Sequence, residues 1–128
     1  MLEKNNKIMW DRDESGNLIP NEIEFEYKEN GEKKKEKFIA IVLTRVELDN
    51  VLSGKSPSGE KTDDPDGDII VHCVKNPAFS KEDVKFLKKD YCLPMVSKIL
   101  SESGLRKPTQ DELKKLMAGM GGMKEKKN

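Results

Sequence analysis

The amino-acid sequence predicts an α+β protein, with a short N-terminal antiparallel β meander followed by a C-terminal helical region. Apolar and charged residues alternate strictly over residues 23–28, which predicts a strand with one buried face. The dipeptide Asn30-Gly31 follows directly and is typical of a two-residue hairpin turn. Capping boxes begin at Thr44, Ser80 and Thr109, and each marks the start of a helix.

The size and composition of the chain indicate one domain with a modest core. The chain has 128 residues, of which 34% are hydrophobic and 38% are charged. Because so few residues are apolar, part of the charged surplus is expected in flexible segments. We therefore predict a single domain over residues 1–107 with a flexible loop at 54–67, then a short helix and a flexible tail over residues 108–128.

Charge and hydropathy exclude several classes of protein. Lys+Arg and Asp+Glu both number 24, so the net charge is zero, and nucleic acid is not the expected main partner. No apolar run is long enough to span a bilayer, and residues 1–10 do not resemble a signal peptide. We therefore expect a cytoplasmic protein with Cys73 and Cys92 as reduced thiols.

The β region is predicted element by element. Residues 7–10 lead into a run of turn formers at 11–17. The alternation at 23–28 places three side chains on one face of the first strand. The second strand begins charged at 32–37 and ends apolar at 38–43. The side chains expected on the buried face of the first strand are Ile23, Phe25 and Tyr27.

The helical region carries clear start and stop signals. Leu43 and Leu48 flank the first capping box at the spacing of a hydrophobic staple, and Phe79 and Val84 flank the second. The third box precedes a short helix with apolar residues on one side. These residues are Leu113, Leu116 and Met117.

A further helix is expected between the second and third boxes. Pro94 suits the first position of that helix, because its missing N–H would have no partner there anyway. Gly104 suits the left-handed position after the last turn, and Leu105 would then contact Leu100.

Residues 69–74 are ambiguous. They are short and β-branched, which is typical of a buried strand. Asp66 or Asp68 would equally well cap a helix that ends before Pro77. The periodicity of the segment does not decide between the two.

The segment from Asp11 to Glu22 matches the spacing of an EF-hand calcium loop. Oxygen ligands stand at positions 1, 3 and 5, glycine at 6 and glutamate at 12. However, the residues that follow alternate like a strand, and Ile19 at position 9 has no side-chain oxygen. Asp, Ser, Gly and Asn are also the residues that turns select. We favour a hairpin turn that binds no calcium tightly.

The remaining polar clusters indicate no catalytic, cofactor-binding or metal-binding site. His72, Cys73 and Cys92 are too few for a structural zinc site, and neighbours on a strand would point to opposite faces. The lysines at 33–35 are balanced by flanking glutamates and suit a solvated strand edge. The acidic run at 63–68 suits a solvated loop. No phosphate loop, dinucleotide motif or nucleophile elbow occurs, so we expect no enzyme.

The order of these motifs resembles the phage tail assembly chaperones of siphophages and prophages. That family carries an Asp-Glu-x-Gly-Asn turn, found here at 13–17, and a Leu-Thr-x-x-Glu-Leu helix start, found here at 43–48. A variable polar loop, a Cys-Val-x-x-Pro segment, a Ser-x-x-Asp helix start and a closing helix ending in Ser-Gly complete the set. They correspond here to 54–67, 73–77, 80–83 and 98–104, so the resemblance covers residues 7–104.

The resemblance implies a binding function without catalytic residues. Such a chaperone keeps the long helical tape measure protein soluble until tube subunits assemble around it, and it is absent from the finished virion. Tail tube subunits are a second expected partner, and self-association of the chain stays open. The resemblance also favours a helix for residues 69–74, which is what we expect.

Helix-in-groove docking would suit such a partner. Consecutive apolar pairs at 86–87 and 99–100 widen the apolar arc of the helices beyond one narrow stripe, so part of it is expected to be exposed. The methionines of the tail, Met117, Met120 and Met123, would add an adaptable surface. The alternative function is a small calcium-dependent or regulatory binding module of bacterial origin, which rests on residues 11–22.

Overall fold

The fold confirms the predicted α+β class. The computed structural model describes residues 2–5 and 8–105. A three-stranded antiparallel sheet with strand order β1-β2-β3 packs against helices. The predicted helix at 109–117 and the tail lie outside the described residues. The elements in chain order are β1 (Asn21–Glu29), β2 (Glu32–Ala40), α1 (Arg45–Leu52), α2 (Pro65–Cys73), β3 (Val74–Asn76), α3 (Lys81–Lys85) and α4 (Lys89–Glu102).

The hairpin of β1 and β2 forms as the sequence predicts. Asn30 and Gly31 connect the strands with φ angles of 54° and 81°, the left-handed conformations that a type I′ turn requires. Glu29 pairs with Glu32 across this turn, and the register continues to the far end of both strands. The buried side chains of β1 are the three predicted from the alternation: Ile23, Phe25 and Tyr27.

The third strand comes from a later part of the chain than a continuous meander implies. β3 pairs antiparallel with β2, with Ala40 opposite Val74 and Ile39 opposite Asn76. Residues 8–10 form no strand and remain nearly half exposed. The sheet is therefore completed by a strand that follows α2.

Residues 69–73 form the last turns of α2, so the helix prediction is confirmed up to Cys73. Asp64 caps this helix, because its Oδ1 accepts the N–H of Gly67 at 3.1 Å, and Pro65 occupies the first position. Ile69 and Ile70 are both fully buried. A helix packed on several sides carries adjacent apolar residues, which is why the segment lacks a helical period. Val74 begins β3 instead.

The loop at 54–67 contains more structure than its composition predicts. Its last three residues already belong to α2, so the prediction is wrong there. The N–H of Ser56 donates to the carbonyl of Glu60 at 2.9 Å, and the Asn50 side-chain amide donates to the Pro57 carbonyl at 2.9 Å. These hydrogen bonds satisfy backbone groups without apolar periodicity. Fast amide exchange in this loop stays a prediction.

Both capping boxes within the described residues are confirmed. Thr44 Oγ1 accepts the N–H of Glu47 at 3.2 Å, and Glu47 Oε1 accepts the N–H of Thr44 at 2.9 Å. Ser80 and Asp83 repeat the arrangement, with both hydrogen bonds at 3.0 Å. Each box satisfies two amides that a helix start would otherwise leave unpaired.

The predicted start of α4 is wrong and its predicted end is confirmed. The helix begins at Lys89, so Pro94 lies inside it rather than at its first position. The helix starts earlier because Tyr91, in its first turn, stacks on Tyr27 of the sheet with ring centroids 4.3 Å apart. After the last turn Gly104 has a φ of 107°, and the N–H of the next residue donates to the Leu100 carbonyl at 3.0 Å. This is a Schellman stop.

The core lies between the inner face of the hairpin, α2 and α4, and α4 packs against both β1 and α2. Ser103 is a buried polar residue at the end of α4. Its hydroxyl accepts the N–H of Leu43 at 2.8 Å and donates to the carbonyl of Ile99 at 2.6 Å. The largest fully buried side chains are Leu43, Ile69, Ile70, Ile99 and Cys73.

Candidate functional site

The segment at 11–22 forms a hairpin-like turn, as favoured from the sequence. Arg12 and Leu18 form a bridge, and Asp13 Oδ1 accepts the N–H groups of Ser15 at 2.9 Å and Asn17 at 3.0 Å. The carboxylate that would be a calcium ligand at position 3 therefore stabilises the turn itself.

The glutamate at position 12 of this segment lies in a strand. Glu22 belongs to β1, and its Oε1 lies 3.7 Å from Nζ of Lys37 on β2. Residues 2–5 and 8–105 contain no group of three His, Cys, Asp or Glu side chains placed to hold a metal ion. Weak calcium binding stays untested, and no contact of this segment favours it.

The two cysteines are free thiols with different surroundings. Cys73 lies in the core with no exposed surface, and burial raises the pKa of its thiol from 9.0 to about 12. Cys92 is partly buried, and burial also raises its thiol pKa. A nucleophilic cysteine needs a lowered pKa, so neither environment activates its thiol.

His72 contributes to an interaction that the sequence did not reveal. It lies on α2 rather than on a strand, so the strand geometry used to separate it from Cys73 was wrong. Its Nε2 is shielded from solvent and lies 2.9 Å from Glu47 Oε2. The distance is that of an ion pair, but the carboxylate is not aligned with the ring N–H, so we assign no hydrogen bond.

Glu47 thus connects two helices. One carboxylate oxygen completes the capping box of α1, and the other contacts His72 of α2. The capping box itself is readable from the sequence, but the histidine lies 25 positions further along the chain (72 − 47), where no local pattern points to it. The pair brings a side chain of α1 next to a side chain of α2.

A wide cavity of about 700 Å³ opens beside this pair, between the loop before α2 and the exposed sides of α2 and α3. Its polar residues are mostly engaged in structure. Asp64 caps α2, and Asp68 accepts a hydrogen bond from the Thr62 hydroxyl. These two carboxylates stabilise the loop and the start of α2, and the side chains of His72 and Lys81 also line the cavity.

The exposed apolar side chains of the helices form the remaining candidate surface. Phe86, at the end of α3, is 82% exposed, and Leu93 on α4 is 50% exposed. On α1, which buries no residue fully, Val46 and Leu52 are 57% and 58% exposed. The wide apolar arc predicted from the sequence is thus partly exposed at Phe86, whereas the pair at 99–100 packs on or within the core.

Comparison with known proteins identifies no relative. No protein-family model matches the chain, and neither a curated protein nor a solved structure is similar to it. In the part of the chain that the structure describes, no helix has the length and apolar character needed to cross a membrane.

Proposed function

We propose that this protein is a phage tail assembly chaperone that binds the tape measure protein of its own phage in the host cytoplasm. It would hold this partner soluble without catalysis and leave before the virion is complete. The proposal rests on the ordered motifs that resemble the chaperone family, including the helix starts at Thr44 and Ser80, which both cap helices. Tail tube subunits are a second proposed partner.

The exposure of Phe86 is the structural observation that carries the proposal. A phenylalanine that is 82% exposed gains about 2 kcal/mol when a partner buries it. A long helical partner offers an apolar stripe to such a side chain. The neighbouring residue Lys88 would favour a partner with an acidic residue beside the stripe, whereas Lys85 already pairs with Glu82 at 3.2 Å.

Co-expression provides the test. The tape measure protein of the same phage should be insoluble alone, and should become soluble and co-purify when this protein is present. Phe86→Ala should reduce the recovered complex several-fold while leaving the thermal midpoint of the free protein unchanged. Ile19→Ala is the matched control, because it removes an apolar side chain that is 45% exposed outside the helical region.

The outcomes distinguish failure of the chaperone function from an incorrect choice of binding surface. A tape measure protein that stays insoluble, or is soluble without help, would refute the chaperone function. Rescue by Phe86→Ala equal to that by the unmodified chain would leave the function in place and move the binding surface elsewhere, with α1 as the next candidate.

A further inference from the structure

A second surface lies between the outer end of the hairpin and the start of α4. A groove of about 320 Å³ runs there, with Lys28 and Lys33 on the hairpin side and Lys89, Leu93 and Pro94 on the helix side. We call it the lysine groove. Its volume is at the lower end of ligand pockets, so it suits a side chain and its flanking backbone rather than a large cofactor.

The two hairpin lysines have no ion-pair partner among the residues that the structure describes. Lys28 and Lys33 are directly opposite each other in the register of β1 and β2. Like charges in this arrangement are destabilising. Elsewhere in the sheet, Lys34 pairs with Glu29 at 2.7 Å and Lys37 with a glutamate at 3.7 Å. Within residues 8–105, no carboxylate lies within 4.0 Å of either groove lysine.

The helix side of the groove offers an apolar surface. Leu93 is half exposed, whereas the next residues of α4 turn toward the core. Because Pro94 has no N–H, the carbonyl of Asp90, four residues earlier, receives no helical hydrogen bond from it. A large apolar side chain of a partner, such as tryptophan, matches this surface.

The charges at the groove favour an acidic partner. Its two carboxylates are Glu26, which is opposite Lys35 in the sheet, and Asp90, which lies in the first turn of α4 where the helix dipole favours it. Three lysines against these two carboxylates leave the groove positive. Because lysines and apolar residues line the same groove, negative charge is favoured next to the inserted side chain.

We propose that the lysine groove binds an acidic protein segment that inserts one large apolar side chain against Leu93 and Pro94. The segment's carboxylates would relieve the repulsion between Lys28 and Lys33. This site goes beyond the chaperone function proposed above and does not require it, because the groove is distinct from the exposed Phe86.

Three synthetic peptides test the chemistry on the full-length protein, followed by amide chemical shifts in NMR titrations. The first has a central tryptophan flanked by four glutamates, the second replaces the tryptophan with alanine, and the third replaces the glutamates with lysines. Only the first should saturate, its shifts should cluster at Lys28, Lys33 and Leu93, and its affinity should fall as salt is raised.

A charge-reversing substitution separates binding from folding. Lys33→Glu would create an opposite-charge pair with Lys28, so it should raise the urea midpoint of the free protein. It should also lower the affinity for the first peptide at least tenfold. Lys61→Glu is the matched control, because it makes the same charge change in an exposed loop and should leave peptide affinity within twofold.

Several results would overturn the proposal. These are saturation by the lysine peptide, equal affinity of Lys33→Glu and the unmodified chain, or shifts that map to Phe86 instead of the groove. Saturable binding of a single-stranded oligonucleotide at the same lysines, with no binding of the acidic peptide, would identify the partner as nucleic acid and also reject it.

Discussion

The buried hydroxyl of Ser103 is predicted to stabilise the fold by joining two distant segments. It accepts the amide of Leu43, 60 positions away in the chain, and donates to the carbonyl of Ile99 within α4. Leu43 is 0% exposed and Ser103 is 7% exposed. Replacing Ser103 with alanine therefore leaves the Leu43 N–H buried without a partner.

The size of the effect follows from this geometry. An unsatisfied buried amide costs about 1–3 kcal/mol, which is a large share of the roughly 5–15 kcal/mol by which domains are stable. The lost donation to Ile99 adds little, because that carbonyl keeps the N–H of residue 103 at 2.9 Å. With a urea m-value of about 1–2 kcal/mol/M, Ser103→Ala should lower the unfolding midpoint by about 1 M.

Equilibrium urea unfolding measures this change, and amide exchange at Leu43 locates it. Ser101→Ala is the matched control, because Ser101 is exposed in the last turn of the same helix. The control should change stability by no more than about 0.5 kcal/mol. If Ser103→Ala also stays within that range, or if Leu43 remains equally protected from exchange, the amide has another partner and our explanation of the buried hydroxyl is wrong.

Three further predictions concern packing, a thiol and a metal. Gly67→Ala should destabilise the protein, although alanine favours helices. The added Cβ would lie 2.2 Å from Asp64 Oδ2 and would displace the side chain that caps α2. A raised urea midpoint would contradict this prediction. Cys73 should resist thiol reagents until the chain unfolds, and rapid labelling of the native thiol would contradict this. Because burial raises the pKa of its thiol from 9.0 to about 12, the stability linked to this group is present below pH 9 and is lost as pH rises toward 12. Cys73→Ala should therefore make the loss of stability at alkaline pH smaller. Micromolar calcium should leave the fluorescence of Trp10 unchanged, and a saturable response would revive a metal site at residues 11–22.

Local signals in the sequence predicted the parts of the fold that depend on neighbours in the chain. The hairpin turn at Asn30, the capping box at Thr44 and the left-handed stop at Gly104 each involve residues within a few positions of one another. Their hydrogen bonds are determined by local geometry, so a single sequence is enough to identify them.

The features that the sequence did not predict correctly depend on contacts between distant parts of the chain. The strand at 74–76 forms by pairing with β2. The helix α4 starts before Pro94, where Tyr91 in its first turn stacks on Tyr27 of the sheet. Tertiary contacts override local preference at both places. The contact between His72 and Glu47 is likewise non-local. The sequence predicted that part of the apolar arc at 86–87 and 99–100 is exposed, but not that the exposed residue is Phe86, because exposure depends on the packing of the whole core.

The distribution of exposed apolar residues bears on how a chaperone of this kind would release its partner. Phe86 and the two exposed residues of α1 stand on different helices rather than in one broad patch. Small separate contacts give weak, transient interfaces. A long helical partner would be covered by many copies, each held weakly, so that any one copy dissociates readily. Polymerising tube subunits could then displace the copies one at a time, which a single large apolar interface would prevent.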